Sequence, residues 1–167
     1  MILKRTNFLS LNKCDKTGYI YVSESWTDDR KVAVLPFMSG GKYLVRFEKI
    51  PCWDLNSLQL CSLTGSAEKG IDFKRAAVAE IQEETGYLVT AQDLIELGTA
   101  RPSKFISSVY HLYGVCLDGK EHGEENPDDD LEAQAHWSWA SANKLIESED
   151  PLLALMFLRL VNVTRKG

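Results

Sequence analysis

The pattern of apolar and polar positions along the chain predicts several strands and three helices. Two short, largely apolar runs at 32–37 and 43–47 flank a loop at 39–41 that contains two glycines. This arrangement is typical of a β-hairpin with a glycine-containing turn. Other segments rich in strand-forming residues lie at 58–63, 109–117 and 135–139, and we expect further strands within residues 1–30.

A helix is predicted over residues 71–85. Asp72 can cap its start, and Gly86 stands where the C-terminus of a helix often needs a left-handed residue. A short helix is predicted at 141–146, and a last helix begins at Asp150-Pro151, since proline is favoured at the first helical position.

The last helix is apolar around most of its circumference, which indicates that it packs against a sheet. The order of elements is strands, helix, strands, helices, so we expect an α/β fold in which helices cover the faces of a mixed sheet. No internal repeat or low-complexity linker interrupts the sequence. Residues 1–167 are therefore interpreted as one domain, with residues 1–30 as N-terminal strands that form a candidate dimerisation segment.

Composition and charge exclude some classes of protein. Hydrophobic residues make up 44% and charged residues 26% of the chain, which is typical of a globular protein rather than a disordered one. The net charge of -5 argues against a general nucleic-acid binder, which needs a basic face. A small phosphorylated ligand remains compatible, because a bound divalent metal ion can neutralise local charge.

The cysteines and the apolar segments bear on the cellular compartment. The four cysteines form no CxxC pair and fit no zinc template, so unpaired thiols in a reducing compartment are expected. Residues 1–12 contain no long apolar stretch, and the most apolar segment, 152–163, is too short to span a bilayer. We expect a cytoplasmic protein without a membrane partner.

Three glutamates in the predicted helix 71–85 suggest a metal site. Glu80, Glu83 and Glu84 stand at positions i, i+3 and i+4, which share one face of a helix within about 6 Å of each other. Three carboxylates so placed repel one another unless a cation lies among them, and Mg²⁺ prefers such hard oxygen ligands. The same spacing also occurs on solvated acidic helix faces. The sequence around the helix is therefore needed to distinguish a metal site from an ordinary acidic surface.

That surrounding sequence resembles the Nudix box, Gly-x5-Glu-x7-Arg-Glu-U-x-Glu-Glu-x-Gly-U, where U is bulky and apolar. Seven of the nine specified positions match, if a tyrosine is accepted as bulky and apolar. The matching residues are Gly65, Glu80, Ile81, Glu83, Glu84, Gly86 and Tyr87. The resemblance implies an α/β/α sandwich around a mixed β-sheet, in agreement with the order of elements.

Two positions depart from the box. Its first glutamate is Ile71 in this chain, and its arginine is Ala79. The resemblance implies that the arginine orients one metal-binding glutamate through a salt bridge, which alanine cannot form. Loss of such a partner typically lowers metal affinity or activity about 10–100-fold. Arg101 or Lys69 could take over this role from a loop.

The resemblance also implies a reaction and its residues. Nudix enzymes use Mg²⁺, with Mn²⁺ as an alternative, to hydrolyse a nucleoside diphosphate linked to another group. The metal ligands would be Glu80, Glu83, Glu84 and the carbonyl of Thr64. A general base would come from the acidic loop before the strand 135–139, where Glu125 is the first choice. Glu83, Glu84 and Glu125 would thus be the catalytic residues.

A weaker resemblance indicates the substrate class. Pro102 lies fifteen residues beyond the end of the box, as in the subgroup of ADP-ribose and nucleotide-sugar pyrophosphatases, although an ordinary loop proline is equally compatible. Arg46 lies in a segment similar to a strand of that subgroup. An N-terminal aromatic residue often stacks on the adenine in that subgroup, and Trp26 or Tyr19 is the candidate here. The products would be a nucleoside monophosphate and a phosphorylated partner, and a homodimer is an open alternative to a monomer.

A second function stays open. Ile71 and Ala79 favour a Nudix-fold module that binds a nucleotide for sensing or scaffolding without turning it over. Glu80, Glu83 and Glu84 favour the enzyme, because a pure binding module has little need of three mutually repelling carboxylates.

Overall fold

The structure is a computed structural model that describes residues 1–24, 26–50, 52–124 and 135–165. Within those residues it contains ten strands and three helices. Their bounds are β1 Ile2–Arg5, β2 Leu9–Lys13, β3 Ile20–Glu24, β4 Arg30–Met38, β5 Lys42–Ile50, β6 Asp54–Cys61, β7 Leu63–Ser66, α1 Phe73–Thr85, β8 Leu94–Ala100, β9 Val109–Cys116, β10 His136–Ala140, α2 Ala142–Ile146 and α3 Pro151–Thr164. In this part of the chain, no helix is both long and apolar enough to cross a membrane.

The central sheet has seven strands and is mixed. Its main path runs β10-β5-β4-β9-β8, while β6 pairs with β5 and β7 pairs with β4. β4 and β9 run parallel, and the other pairs in this sheet are antiparallel. The predicted hairpin is confirmed, because β4 and β5 pair at Phe37–Tyr43 around the glycine-containing loop.

Successive residues of β4 alternate between two apolar layers. Val32 and Val34 pack in a cluster with Ile81 of α1, whereas Ala33 and Leu35 pack in a second cluster with Met156 of α3. Neighbouring strand residues point to opposite faces of a sheet, so one apolar strand serves both layers. The α/β/α arrangement expected from the sequence is confirmed.

The first three strands form a separate antiparallel sheet in the order β1-β2-β3. This sheet joins the rest of the chain near residue 105. The Val22 amide donates to the Phe105 carbonyl at 2.8 Å, the Ser107 amide donates to the Val22 carbonyl at 2.9 Å, and the Tyr19 hydroxyl donates to the Lys104 carbonyl at 2.9 Å.

Helix α1 has the two ends that the sequence predicts. The Asp72 side chain accepts hydrogen bonds from the amides of Lys74 and Arg75, which satisfies two donors that a helix start leaves unpaired. Gly86 ends the helix in the left-handed region with a φ of 70°. Because Asp72 is the cap, the helix begins at Phe73 rather than at residue 71.

Two strand predictions need correction. The predicted strand 58–63 is divided between β6 and β7, because the amide of Ser62 donates to the side chain of Asp150 at 2.7 Å. Strand β8 was missed. It carries a register shift between Glu96 and Gly98, and Gly98 has a φ of 82°, so its apolar positions do not alternate regularly.

Candidate active site

A cleft of about 710 Å³ opens beside α1 and β7. Residues from β4, β7, α1, β9 and the loops before them form its walls. They are Trp26, Lys31, Thr64, Gly65, Ser66, Glu68, Ile71, Arg75, Ala76, Ala79, Glu80, Glu83 and Tyr110. The cleft therefore brings together residues that are far apart in the sequence and includes both positions that depart from the box.

Glu80 and Glu83 line this cleft together with Thr64, as the sequence predicts for a metal site. The carboxylate of Glu80 lies against Gly65 of β7, and a Cβ at position 65 would overlap it. Glycine at this position therefore lets a strand backbone and a helix carboxylate approach each other closely. The same approach places Glu80 next to Thr64, the neighbour of Gly65 in the strand.

Glu84 does not line the cleft, although it stands next to Glu83 in the helix. It is 5% exposed, and its Oε2 accepts a hydrogen bond from Nη1 of Arg46 at 2.6 Å. Arg46, on β5, is 6% exposed, and its Nη2 lies 3.3 Å from a carboxylate oxygen of Glu48. The three glutamates are thus divided between the cleft and the interior.

Arg46 was not identified from the sequence as a partner of the glutamates. The two residues considered for this role have other partners: Lys69 pairs with Asp28 at 3.0 Å, and Arg101 donates to the Ser107 carbonyl at 2.5 Å. The sequence does contain a sign of this pairing, because Arg46 is a charged residue within the apolar run 43–47. A charge in a buried strand requires a partner of opposite charge.

Lys31 and Arg75 bring positive charge to an otherwise acidic cleft. The ammonium of Lys31 lies 2.6 Å from a carboxylate oxygen of Glu24 and donates to the Ser66 hydroxyl at 2.7 Å. Lys31 is therefore held at the cleft wall from two sides. Sequence analysis did not single it out, because a lysine at the start of a strand is an ordinary surface feature.

The loop that carries Ile71 is fixed by Arg30. The guanidinium donates to the carbonyls of Glu68 at 3.1 Å and Ile71 at 2.6 Å, and it lies 4.3 Å above the ring of Phe73. Ile71 is 38% exposed, so this apolar side chain faces the cleft surface where the box has a carboxylate.

A family comparison agrees with this geometry. The model of the NUDIX domain matches residues 28–159, a range that includes the cleft-lining strands, α1 and most of α3. The chain belongs to the Nudix family. No curated protein matches the sequence. The crystal structure of an ADP compounds hydrolase has the same fold, with a TM-score of 0.76 and 14% sequence identity over 99% of this chain and 91% of that chain.

The residues predicted to bind the Nudix substrate lie in different places. Trp26 lines the main cleft, is 46% exposed and contacts Phe8 edge-on with ring centroids 6.3 Å apart. Pro102 lines a second cleft of about 250 Å³, which shares Thr64 and Tyr110 with the first. Arg46 lines neither of these two clefts.

Tyr110 stands at the junction of the two clefts. Burial raises the pKa of its phenol above the usual value, and the carboxylates of Glu24 and Asp150 add to the shift. A raised pKa keeps the phenol protonated, so Tyr110 offers a hydrogen-bond donor at this junction.

The preferred general base, Glu125, lies outside the described residues. The preceding part of the acidic loop is described and contacts the C-terminal end of α1. The Gly123 amide donates to the Gly86 carbonyl at 2.7 Å, and the rings of His122 and Tyr87 meet edge-on at 4.8 Å. The chain thus enters residues 125–134 from a point next to the Nudix helix.

The donor set of the main cleft suits Mg²⁺. Across the described ranges, no group of three or more His, Cys, Asp or Glu side chains is arranged to hold a metal ion. The cleft instead offers the carboxylates of Glu80 and Glu83 beside Thr64, and glycine at position 65 leaves room for one of them. Mg²⁺ usually keeps several waters and takes one or two carboxylates plus substrate phosphates, so these residues fit it.

Proposed function

We propose that this Nudix domain hydrolyses a nucleoside diphosphate that is linked to a second group, and that the reaction depends on Mg²⁺ or Mn²⁺. The supporting observation is the placement of Glu80 and Glu83 on one wall of a cleft, with Glu80 packed against Gly65. Two carboxylates at a cleft surface are what a cation-assisted reaction on an anionic substrate requires.

Residues of the cleft would have distinct roles in this reaction. Glu80, Glu83 and the Thr64 carbonyl line the cleft and would hold the metal ion, which when bound neutralises the diphosphate and polarises its phosphorus–oxygen bonds. Metal binding by Glu84, which lies outside the cleft, stays a prediction from the sequence. Lys31 also lines the cleft and would bring its ammonium group to the substrate from a position set by Glu24 and Ser66.

The proton of the attacking water would pass to a carboxylate of the acidic loop. Glu125 is our first choice, because the described start of that loop contacts the end of α1. Loss of a general base typically lowers turnover about 10²–10⁴-fold. Replacing each acidic residue of the loop by its amide, one at a time, therefore identifies the base; a set of variants with only few-fold effects would contradict this placement.

For the substrate class we propose ADP-ribose or a nucleotide sugar, with release of a nucleoside monophosphate. Trp26 is exposed at the cleft and offers a ring on which a base can stack, while Pro102 lines the neighbouring cleft that adjoins at Thr64 and Tyr110. Two adjoining clefts suit a substrate with two moieties joined by a diphosphate. A substrate contact by Arg46 stays a prediction from the sequence, and a homodimer is proposed for the assembly.

The test combines a substrate panel with charge-removing variants. Nucleoside monophosphate release from dinucleoside and nucleotide-sugar diphosphates is measured with and without Mg²⁺. Glu80→Gln and Glu83→Gln keep the side-chain shape but remove a charge, so each should lower Mg²⁺-dependent turnover at least about tenfold. Glu96→Gln is the control, because Glu96 is exposed on β8 and pairs with Lys74 rather than lining the cleft.

Either of two results would contradict the proposal: Mg²⁺-independent release, or turnover that both variants leave intact. The rival function, a Nudix-fold binding module, is supported by Ile71 and Ala79, which line the cleft where the box has charged residues. It predicts saturable binding of a panel member by calorimetry with no release of monophosphate at any metal concentration.

A further inference from the structure

The buried ion pair between Arg46 of β5 and Glu84 of α1 has no role in the reaction proposed above. Arg46 lies between Val45 and Phe47, and its backbone pairs with Cys61 of β6 on one side and Trp137 of β10 on the other. A residue held between two neighbouring strands has little freedom to shift. Its guanidinium therefore reaches α1 from a fixed point in the sheet.

The direction of the Arg46 side chain follows from the strand. Leu44, two residues earlier, packs in the apolar cluster that contains Ile81 of α1. Residues two apart on a strand point to the same face, so Arg46 projects toward the layer of α1. There it meets Glu84 at 2.6 Å, with side chains 7% and 3% exposed respectively.

Stability alone does not account for such a pair. Removing two charges from water is costly, and apolar residues of similar volume are often neutral or stabilising in the same place. The pair also lies next to the candidate active site, since Glu84 directly follows Glu83, which lines the cleft. The desolvation cost of the pair is understandable if the pair holds part of the active site in the geometry that the reaction needs.

We propose that Arg46 is a positioning residue that, by holding Glu84, fixes the turn of α1 that carries the cleft carboxylate Glu83 for metal binding, in place of the arginine that the Nudix box has at position 79. The box arginine orients a glutamate from within the helix, whereas this chain supplies the guanidinium from β5. A planar guanidinium can hold a carboxylate in one orientation, which a lysine ammonium does less well. The inference rests on the proposed metal-dependent function.

The first measurement is the affinity of the full chain for Mn²⁺ in the absence of substrate. Electron paramagnetic resonance of the free Mn²⁺ reports how much is bound. Arg46→Lys keeps the charge but not the planar fork, and Arg46→Met removes both. We expect each to weaken Mn²⁺ binding about tenfold or more, as loss of an orienting partner typically does. Lys74→Met, which removes an exposed ion pair from the same helix, should leave the affinity within about twofold of the parent.

A double-mutant cycle distinguishes positioning from a general loss of order. If Arg46 acts through Glu84, Arg46→Met should change Mn²⁺ affinity less than about twofold when Glu84→Gln is already present. If Arg46→Met alone fails to fold, the cycle is run instead with Arg46→Lys, alone and combined with Glu84→Gln, and the same limit of about twofold applies.

The outcomes separate this inference from the proposed function. Parent-like Mn²⁺ affinity in both Arg46 variants, or full additivity in the double variant, overturns the positioning role alone. A parent that binds no Mn²⁺ overturns both proposals. A parent that binds Mn²⁺ but releases no monophosphate contradicts hydrolysis only, while the cycle still supports Arg46 if its effects are non-additive.

Discussion

Among single residues, Gly65 illustrates how strongly the candidate site depends on the absence of one side chain. The Glu80 carboxylate occupies the space where a Cβ at position 65 would stand. A larger residue must therefore displace either the β7 backbone or the carboxylate, and the side-chain end is the more flexible of the two.

Gly65→Ala should move Glu80 and lower Mg²⁺-dependent turnover about tenfold or more, with little loss of stability. The matched control is Gly40→Ala, because a Cβ at Gly40 meets no atom within 4 Å. Turnover is measured across Mg²⁺ concentrations, and thermal unfolding shows whether the fold is kept. Parent-like activity in Gly65→Ala would mean that the position of Glu80 is unimportant.

The residues of the site were predictable from sequence to different degrees. Glu80, Glu83 and Thr64 were expected and line one cleft, since helical spacing and the box together determine their neighbourhood. The partner of Glu84 was not predictable, because the contact between β5 and α1 joins positions 46 and 84 only through the tertiary fold. Local spacing carries no information about which strand a helix will face.

Helix α1 carries an alanine where the Nudix box has an arginine, and Ala79 lines the cleft. An arginine at 79 would stand one turn before Glu83, at a spacing that permits an ion pair. We expect Ala79→Arg to give between unchanged and about tenfold higher turnover, most clearly at low Mg²⁺. Ala91→Arg, at an exposed turn, controls for the added charge. A clear fall in activity with an intact circular dichroism spectrum would show that the site is adapted to Ala79.

Helix α3 is tied to the central sheet through its cap. Asp150 is 7% exposed and accepts hydrogen bonds from the Leu152 amide at 2.8 Å, the Ser62 amide at 2.7 Å and the Ser62 hydroxyl at 2.6 Å. One carboxylate thus starts a helix and ends the pairing of a strand. This double role explains why the break between β6 and β7 was invisible in the apolar pattern of residues 58–63.

Asp150→Ala should lower the free energy of unfolding by about 3 kcal/mol, because it removes a helix cap and leaves buried Ser62 groups unpaired. Urea denaturation measures the change. The comparison is Asp72→Ala, which removes the exposed cap of α1 and should cost about 1 kcal/mol. Equal losses in the two variants would show that the bonds to Ser62 contribute nothing.

Most elements were predictable because their signals are local. The caps of α1 and the proline at the start of α3 mark helix ends without reference to the rest of the fold. Strand β8 lacks such a signal, since the irregularity near Gly98 interrupts its alternation. Its identity as a strand depends on pairing with β9, which a single sequence does not display.

At the scale of the whole molecule, the N-terminal sheet exposes apolar side chains. Exposed apolar residues on β1, β2 and β3 are Ile2, Leu3, Leu9, Leu11 and Ile20. Concentration of such residues on one small sheet is typical of an interaction surface. It agrees with the proposal that residues 1–30 contribute to a homodimer.

We expect the parent to be a dimer by light scattering coupled to size exclusion, and Leu11→Glu to shift it to a monomer. A charge at the centre of an apolar interface opposes association. Leu58→Glu is the control, since Leu58 is similarly exposed but lies on β6. A monomeric parent would refute the dimer, and dimeric Leu11→Glu would exclude this face as the interface.

The parallel pairing of β4 with β9 has a consequence for how the chain acquires its structure. The pairing runs from Arg30 with Val109 to Phe37 with Cys116, so it joins segments that are far apart along the chain. Closing so long a loop before any contact compensates for it is slow, and sheets of this kind fold on the order of milliseconds to seconds. During synthesis, β4 can pair with β5 and β7 on one edge, but its other edge stays unpaired until β9 emerges. The strand that serves both layers of the finished protein therefore exposes one unpaired edge, open to aggregation, while the protein is being made.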